Sequence, residues 1–222
     1  MLPQAAGRHY NKVPQGGQGN AKGWGDGMTG LALLIVGLIL FLGAHTLTAQ
    51  RDLRARLIAA TGEGPYKILY SLASLAGIVL IAWGFAHYRA TGWIDVWSPP
   101  HFMKHVTIAL MLPAVILVVA AYLRGKIYLT LKHPMLAGVK LWAFAHLLTN
   151  GDLGSIILFG SFLAWAVYDR ISLKRRADAG APPIPVGGVV NDVLAVVIGI
   201  VIYLALGFVF HPVVIGVPVF GA

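Results

Sequence analysis

GLALLIVGLILFLGAHTLT, residues 30–48, is a run of nineteen residues without a single Asp, Glu, Lys or Arg. A membrane-spanning helix needs about 20 mostly apolar residues, so this run is long enough to cross a bilayer. Composition extends that interpretation to the whole chain, since 58% of its 222 residues are hydrophobic and only 11% are charged. The sequence therefore predicts a polytopic membrane protein and not a soluble domain.

Five further apolar stretches follow the first. The six cover residues 30–48, 68–87, 106–123, 134–148, 153–168 and 189–210. The fourth is short for a span, which takes about 17–25 residues, so a re-entrant helix is the alternative interpretation there. We expect an all-α bundle of about six transmembrane helices. Four small residues within them are predicted as sites of close helix packing, namely Gly37, Gly43, Gly160 and Ser161.

The first 27 residues differ in composition from the rest of the chain. They are polar and rich in glycine, and include GGQGNAKGWGDG at 16–27. Such a segment buries too little apolar surface to order itself, so we predict a disordered extension over 1–27 and a transmembrane domain over 28–222. Met28 directly precedes the first apolar run and is an alternative start of translation.

The formal net charge of +9 raises the question of a nucleic-acid partner. The basic residues, however, lie in the links between apolar runs and are concentrated in the first, third and fifth links: Arg51, Arg54, Arg56, Lys67, Arg124, Lys126, Lys132, Arg170, Lys174, Arg175 and Arg176. The positive-inside rule places these links in the cytoplasm and both termini in the periplasm of a bacterial inner membrane. The expected partner is therefore the lipid bilayer and not nucleic acid. Residues 50–64 are predicted as an interfacial helix.

Cysteine is absent, and glutamate occurs once, as Glu63. The chain therefore has no thiolate nucleophile, no attachment point for a c-type haem and no cysteine ligands for an iron–sulfur cluster. A carboxylate-bridged di-iron site needs several inward-facing glutamates and is excluded as well. The eight histidines remain as candidates for holding a metal or a cofactor.

Predicted membrane depth sorts these histidines into two levels. His45, near the inner end of the first helix, shares a level with His133, which we expect at an N-cap because Pro134 favours a first helical turn. His146 lies about 20 Å further along that helix, at about 1.5 Å per residue, so one metal ion cannot bind both His133 and His146. Each needs a partner from another helix. For His146 the candidates are His87, His101, His105 and His211.

Neutral imidazoles from two helices suit the iron of haem b. We therefore predict a haem b site with His45 and His133 as the preferred axial ligands, and with His105 and His146 as a second polar cluster. The alternative is that each histidine is interfacial or hydrogen-bonded within the core. The i,i+4 spacing of His101 and His105 also fits zinc or copper.

Lys140 lies in the middle of the fourth stretch, where a charge costs about 2.5–3.5 kcal/mol on insertion scales. Three interpretations are open, and the simplest is that the side chain snorkels to the membrane surface. The second interpretation is that the ammonium group donates a hydrogen bond to Ser161 or Tyr203. The third is that it pairs with a haem propionate. We therefore include Lys140 among the candidate cofactor-binding residues.

Several stretches, in order along the chain, resemble the NnrU family of membrane proteins. They are FLGAH at 41–45, YKILYSLASLAGIVLIAWG at 66–84, SPPHFMKH at 98–105 and HPMLAGVKLWAFAHLLTNGDLGSIILFGSFLAWAVYDR at 133–170. The resemblance covers about residues 28–176. It implies a role in nitrogen-oxide metabolism, in the expression of nitrite and nitric oxide reductases of denitrifying bacteria.

The same family is similar to the 15-cis-zeta-carotene isomerase, a membrane enzyme that holds haem b through histidines. The resemblance implies that its histidines correspond to His45, His105, His133 and His146. Val106 stands where the isomerase has a glutamate, so the resemblance implies haem binding more directly than isomerisation.

The sequence thus predicts a haem b-binding membrane protein linked to nitrite and nitric oxide metabolism. One alternative is a haem-dependent cis-trans isomerase of a polyene. Another is a non-enzymatic assembly or regulatory factor, whose basic loops would meet a respiratory or denitrification membrane complex. A small transporter is less favoured, because acidic residues are few and no inverted repeat is evident.

Overall fold

A computed structural model describes residues 21–175 and 186–220, with side chains from Met28 onward. Most of the extension predicted over 1–27 lies outside the described residues. The helices are α1 (Ala21–Ala49), α2 (Arg51–Thr61), α3 (Glu63–Thr91), α4 (Met103–Leu123), α5 (Lys126–Leu131), α6 (Pro134–Leu147), α7 (Leu153–Arg175) and α8 (Val189–Ala205). The last of these continues directly as a π-helix, Leu206–Ile215.

Each of the six apolar stretches forms a helix, which confirms the predicted all-α class. Five helical segments are long and apolar enough to cross a membrane: Met28–Ala49, Glu63–Thr91, Met103–Leu123, Leu153–Arg175 and Val189–Ile215. The remaining stretch, the fourth along the chain, forms α6, which has 14 residues.

The short α6 runs antiparallel to α4 and links the two ends of the bundle. Near the start of α4, the Thr107 hydroxyl donates a hydrogen bond to the Ala145 carbonyl oxygen at 2.7 Å. Further along α4, the Ala114 carbonyl and Val118 pack against Gly138, so closely that a Cβ there would lie 2.8 Å from the Ala114 oxygen. The chain therefore traverses the bundle at α6, which disfavours the re-entrant alternative.

Neighbouring helices form an arc in the order α3, α1, α7, α6, α4, α8. This order differs from the order along the chain, because α7 inserts between α1 and α6. The two outermost helices, α3 and α8, do not pack on each other. They are connected at one end of the bundle, where Nη1 of Arg89 donates a hydrogen bond to the Ile215 carbonyl oxygen at 3.3 Å.

Glycines bring α1 and α3 into backbone contact. A Cβ at Gly37 would lie 2.6 Å from the Ile81 nitrogen, and one at Gly84 would lie 2.4 Å from the Leu34 nitrogen. Small residues permit such close approach between membrane helices. The packing role predicted for Gly37 is therefore confirmed.

The prediction of close packing is wrong for Gly43 and Gly160, where an added Cβ would meet nothing within 4 Å. Both glycines have the same apolar sequence context as Gly37. They differ only in the helix face on which they lie.

The α8 helix is fixed to α4 and α5 by polar contacts at both of its ends. The Tyr203 hydroxyl donates to the Ile108 carbonyl oxygen at 3.1 Å. At the opposite end, the Asp192 carboxylate accepts the backbone N–H groups of Lys126 and Ile127 at 2.9 and 3.0 Å. Asp192 thus supplies from α8 the N-terminal cap that α5 lacks in its own sequence.

The predicted helix over residues 50–64 is present as α2, which has no buried residue. Its three arginines, Arg51, Arg54 and Arg56, are exposed, and the guanidinium of Arg54 lies 5.9 Å from the centre of the Tyr66 ring. Leu57 and Ile58 are half-buried. Arg51 and Arg54 lie on the same side of the helix as Ile58, so the arginines are not confined to a face opposite the apolar residues, and the interfacial position of α2 stays a prediction.

Candidate functional site

His146, near the end of α6, faces His211 of the π-helix. Their ring centroids are 6.3 Å apart, and the ring planes differ by 25°. The two helices that carry them are not neighbours, since α4 lies between them in the arc. The two imidazoles therefore approach each other across the space between non-adjacent helices.

The orientation of His146 is fixed by its own helix. Its Nδ1 lies 2.8 Å from the carbonyl oxygen of Trp142, one turn earlier. Because a carbonyl oxygen only accepts, we assign the proton of the neutral ring to Nδ1, which leaves the lone pair on Nε2. The ring also stacks on Phe159, with centroids 4.6 Å apart and planes 23° apart. His146 is thus held with a potential ligand atom available.

The spacing of His146 and His211 suits a shared metal ion. Two imidazoles bound through nitrogen on opposite sides of one metal ion, each at about 2.0–2.1 Å, have ring centroids about 6 Å apart. The separation of 6.3 Å matches that value. We call these two residues the His146 pair.

Arg89 of α3 lies beside the end of the π-helix. It is half-buried and uses one of its N–H groups on the Ile215 carbonyl oxygen. A guanidinium has five N–H donors, so further donors remain for an anionic group near the His146 pair.

His45 forms a second site at the opposite end of the bundle. Its Nδ1 lies 2.7 Å from the carbonyl oxygen of Phe41, so Nδ1 donates a hydrogen bond to that oxygen. Its ring is bordered by the rings of Phe41, Tyr70 and Trp165, with centroid distances of 4.2, 5.5 and 5.8 Å. The site is therefore formed by α1, α3 and α7.

Buried polar atoms without partners among the described residues occur on α3 and α7, and one of them, Trp165 Nε1, belongs to a ring beside His45. Trp165 Nε1, Ser74 Oγ and Tyr66 Oη are buried and make no hydrogen bond with any described residue. Leaving such a group unsatisfied costs about 1–3 kcal/mol, and buried polar groups in native proteins are almost always paired. We call His45, Tyr70 and Trp165, whose rings are neighbours, the His45 cluster.

A row of aromatic rings connects the two sites. From Phe41, beside His45, the row passes to Phe162 at 5.8 Å and then to Trp142 at 5.4 Å. Trp142 lies 5.5 Å from His146, again between ring centroids. The interior between α1, α7 and α6 is thus filled by stacked and edge-on rings.

The structure shows no contact between the rings of His45 and His133. His133 is half-buried at the N-cap of α6, and Pro134 begins the helix, as expected. The ring neighbours of His45 come from α1, α3 and α7, and α1 does not pack against α6. The joint ligation of a haem iron by His45 and His133 stays a prediction.

His105 is exposed at the start of α4, two residues before Thr107. It therefore lies at the same end of the bundle as His146, as expected. The ring that meets His146 is nevertheless that of His211. The π-helix that carries His211 has no signal in the sequence that we recognised.

Lys140 is half-buried on α6. Within residues 21–175 and 186–220, its ammonium group makes no hydrogen bond or ion pair, and the Tyr203 hydroxyl is bonded to Ile108 instead. The predicted bond to Tyr203 is therefore not formed, and snorkelling or a cofactor carboxylate remains.

Asp152, in the turn between α6 and α7, is fully buried. Its Oδ1 accepts the Ser155 backbone N–H at 2.9 Å and so caps the start of α7. Its other carboxylate oxygen has no partner among the described residues. Neither hydropathy nor spacing indicated this burial.

The zinc or copper interpretation of His101 and His105 gains no support. In the described part of the chain, no group of three or more His, Asp or Glu side chains is arranged to hold a metal ion. A two-histidine arrangement, such as the His146 pair, needs a cofactor that supplies the remaining ligands.

Comparison with known proteins gives one match. A family model described as NnrU protein matches residues 33–219, which is most of the chain and includes both histidine sites. No curated protein and no solved structure matches the chain.

Proposed function

Since the chain belongs to the NnrU family, we propose that it is a haem b-binding membrane protein with a role in nitrogen-oxide metabolism. The observation that supports haem binding best is the His146 pair, two imidazoles 6.3 Å apart on non-adjacent helices. A haem bound there would supply a redox-active iron with four porphyrin nitrogens, which completes a ligand set that two histidines begin.

The residues around the pair fit such a group. The Trp142 carbonyl holds His146 with Nε2 unprotonated, as a ligand to iron must be. Phe159 stacks on the same imidazole and excludes water from one side. Arg89 offers N–H donors of the kind that pair with a propionate carboxylate.

A π-helix carries the second histidine of the pair. Such helices are rare and are frequently found at functional sites, because the wider turn shifts side chains away from their α-helical positions. Pro212 follows His211 directly within this segment. The position of the His211 side chain is thus set by the backbone of the π-helix.

Purification and a reduced pyridine haemochrome spectrum test the proposal. We expect about one haem b per chain, and loss of it in His146→Ala and His211→Ala. His105→Ala serves as the matched control, because that histidine is exposed at the same end of the bundle. A folded but colourless wild-type protein would contradict haem binding altogether.

The same spectra decide between the two histidine pairs. Our assignment predicts that His45→Ala and His133→Ala keep their haem. Loss of haem in these two variants, together with retention of haem in His146→Ala and His211→Ala, would show that His45 and His133 bind the haem. These are the ligands that the sequence favoured.

The link to nitrite and nitric oxide metabolism follows from the family resemblance. Deleting the gene in a denitrifying host should lower nitrite and nitric oxide reductase activities, and the wild-type gene should restore them. Restoration that fails with a His146→Ala, His211→Ala double variant supports a function that depends on haem.

A second candidate function is a non-enzymatic assembly or regulatory factor in the bacterial inner membrane. The exposed arginines of α2, which offer a basic surface to an acidic partner, favour it. In that case the double histidine variant restores the reductase activities fully, whereas replacement of Arg51, Arg54 and Arg56 abolishes them.

A further inference from the structure

Two basic side chains lie where α6 and α7 pack together, Lys140 on α6 and Arg170 on α7. Both are half-buried, so part of each side chain remains accessible. Neither side chain donates a hydrogen bond or forms an ion pair within residues 21–175 and 186–220. A charge within a membrane span is costly unless an opposite charge or the aqueous surface compensates it. The two cations therefore call for an anion that the described part of the chain does not supply.

Lys140 lies on the lipid-facing side of α6. Two residues, which correspond to a rotation of about 200°, separate it from Trp142 and also from Gly138. Trp142 packs on the rings of α7 inside the bundle, and Gly138 packs on α4. Phe144, one turn after Lys140 on the same side, is 47% accessible. Lys140 thus faces away from the His146 pair, which disfavours a propionate of a haem bound there as its counter-ion.

Arg170 lies on the side of α7 that faces α6. It follows Phe159 by eleven residues, or about three helical turns, and therefore shares the face on which Phe159 meets Trp142. Trp142 also lies 5.4 Å from Phe162 between ring centroids, and the two helices are antiparallel. Eight residues back from Trp142 lead to Pro134, and eight residues forward from Phe162 lead to Arg170. Arg170 is thus level with the start of α6.

The two side chains extend towards each other. Six residues, or about 9 Å of helix, separate Lys140 from Pro134 at the start of α6. Cβ bonds tilt towards the N-terminus of their own helix, so Lys140 extends towards this end of the bundle and Arg170 extends back from it. Their long stems bring both charged groups to a level between the two Cα atoms. Lys174, one turn after Arg170, is exposed and adds a third positive charge beside them.

This position is open to the bilayer. On the lipid-facing side of α7, Val167 is 43% accessible, and an added Cβ at Gly160 would meet nothing within 4 Å. The 14 residues of α6 span about 21 Å, whereas the hydrocarbon core is about 30 Å thick. A short helix is accommodated by a locally thinner bilayer. Phospholipid headgroups are thereby drawn inwards along α6, towards Lys140.

We propose that Lys140 and Arg170 together bind the phosphate of one anionic phospholipid, in the leaflet that meets the start of α6. The guanidinium donates N–H groups to two phosphate oxygens, and the ammonium group donates from the side of α6. The acyl chains lie along the exposed apolar surface that includes Phe144 and Val167. Because these chains anchor the phosphate in the membrane, a phospholipid reaches a depth that a water-soluble anion does not.

Native mass spectrometry of the full chain in detergent, titrated with phosphatidylglycerol, tests this assignment. We expect one tightly bound lipid, and Lys140→Met and Arg170→Gln should each weaken its binding about threefold to tenfold. The double variant should lose less than the product of the two single effects, because both residues bind the same phosphate. Lys140→Arg should keep most of the affinity.

The matched control is Lys67→Gln. It removes one positive charge as well, but from a residue on α3 that is paired with Glu63 at 2.8 Å. The affinity for phosphatidylglycerol should therefore remain that of the wild type. Diacylglycerol with the same acyl chains lacks the phosphate, and phosphatidylcholine carries no net charge, so both should bind more weakly than phosphatidylglycerol.

Four results would overturn the assignment. The first is equal weakening in Lys67→Gln, which would indicate a general effect of net charge. The second is binding of diacylglycerol or phosphatidylcholine as tightly as phosphatidylglycerol. The third is a double variant whose loss equals the product of the single losses, which would indicate two separate contacts. The fourth is loss of haem from Lys140→Met at unchanged lipid affinity, which would identify a haem propionate as the partner.

Two measurements on the same samples keep these results interpretable. Size-exclusion profiles separate a loss of lipid binding from misfolding. Haem content separates the lipid site from the haem proposal, because the expected lipid affinities are the same whether or not the protein carries haem.

Discussion

Arg89 and Ile215, 126 residues apart in the chain, are joined by a hydrogen bond from the guanidinium to the backbone carbonyl. This bond connects α3 with the end of the π-helix, and so connects the two ends of the helix arc. The His146 pair lies close behind it, because His211 belongs to the same π-helix. The position of His211 thus depends on a side chain from the far edge of the bundle.

Replacing Arg89 should therefore loosen the π-helix. In Arg89→Leu we expect faster amide hydrogen exchange over residues 206–215 and a loss of haem, because hydrogen bonds of charged groups contribute about 1.5–3 kcal/mol and this one is only half-buried. Arg89→Lys, which keeps one donor, should show a smaller effect. Unchanged exchange in the leucine variant would show that the π-helix is held by its own packing.

The glycine contacts between α1 and α3 should not tolerate a larger residue. Gly84→Val would force the helices apart, because even its Cβ lies 2.4 Å from the Leu34 nitrogen. Overpacking costs about 1–3 kcal/mol where neighbours can yield, and backbone atoms yield least. We expect little monodisperse protein from Gly84→Val in fluorescence-detected size exclusion. Gly43→Val should behave like the wild type.

The cap that Asp192 provides for α5 should contribute to stability. Asp192→Ala removes the acceptor of two backbone N–H groups, and losing a cap of this kind costs about 0.5–2 kcal/mol. A lower unfolding temperature in detergent should report the loss. Asp52→Ala is the control, since Asp52 is exposed and caps no neighbouring helix. Equal melting of both variants would contradict the role of the cap.

Membrane orientation can be measured directly, because the chain contains no cysteine. We expect Ala55→Cys, on the exposed α2, to be protected from an impermeant thiol reagent added to intact cells. Ser98→Cys, in the exposed link between α3 and α4, should be labelled. The reverse pattern would place the arginines of α2 in the periplasm and contradict the positive-inside assignment.

The six helices that form the bundle were predictable because each coincides with a continuous apolar run, whereas the short α5 was not predicted. Length and hydropathy located all six stretches, and Pro134 located the start of α6 together with His133 at its N-cap. These signals are local, so no knowledge of neighbouring helices was needed. The helix α2 was recognisable from a different local signal, the basic and apolar residues of the link that follows the first apolar run.

The order of the helices in the arc was not predictable in this way. A membrane helix is apolar on its lipid face and on its packed face alike, so hydropathy does not reveal which face meets a neighbour. The different fates of Gly37 and Gly43 show this directly. The pairing of His146 with His211 depends on the same tertiary information, and on a π-helix as well.

The bond between Arg89 and Ile215 also has a consequence for biogenesis. The ribosome delivers α1 to α7 to the bilayer before it completes α8 and the π-helix that follows it. Until then α3 has no partner at its outer edge, and His146 has no imidazole opposite it. The nascent protein is therefore open on one side, and under the haem proposal the cofactor would reach His146 before the final segment brings His211 opposite it.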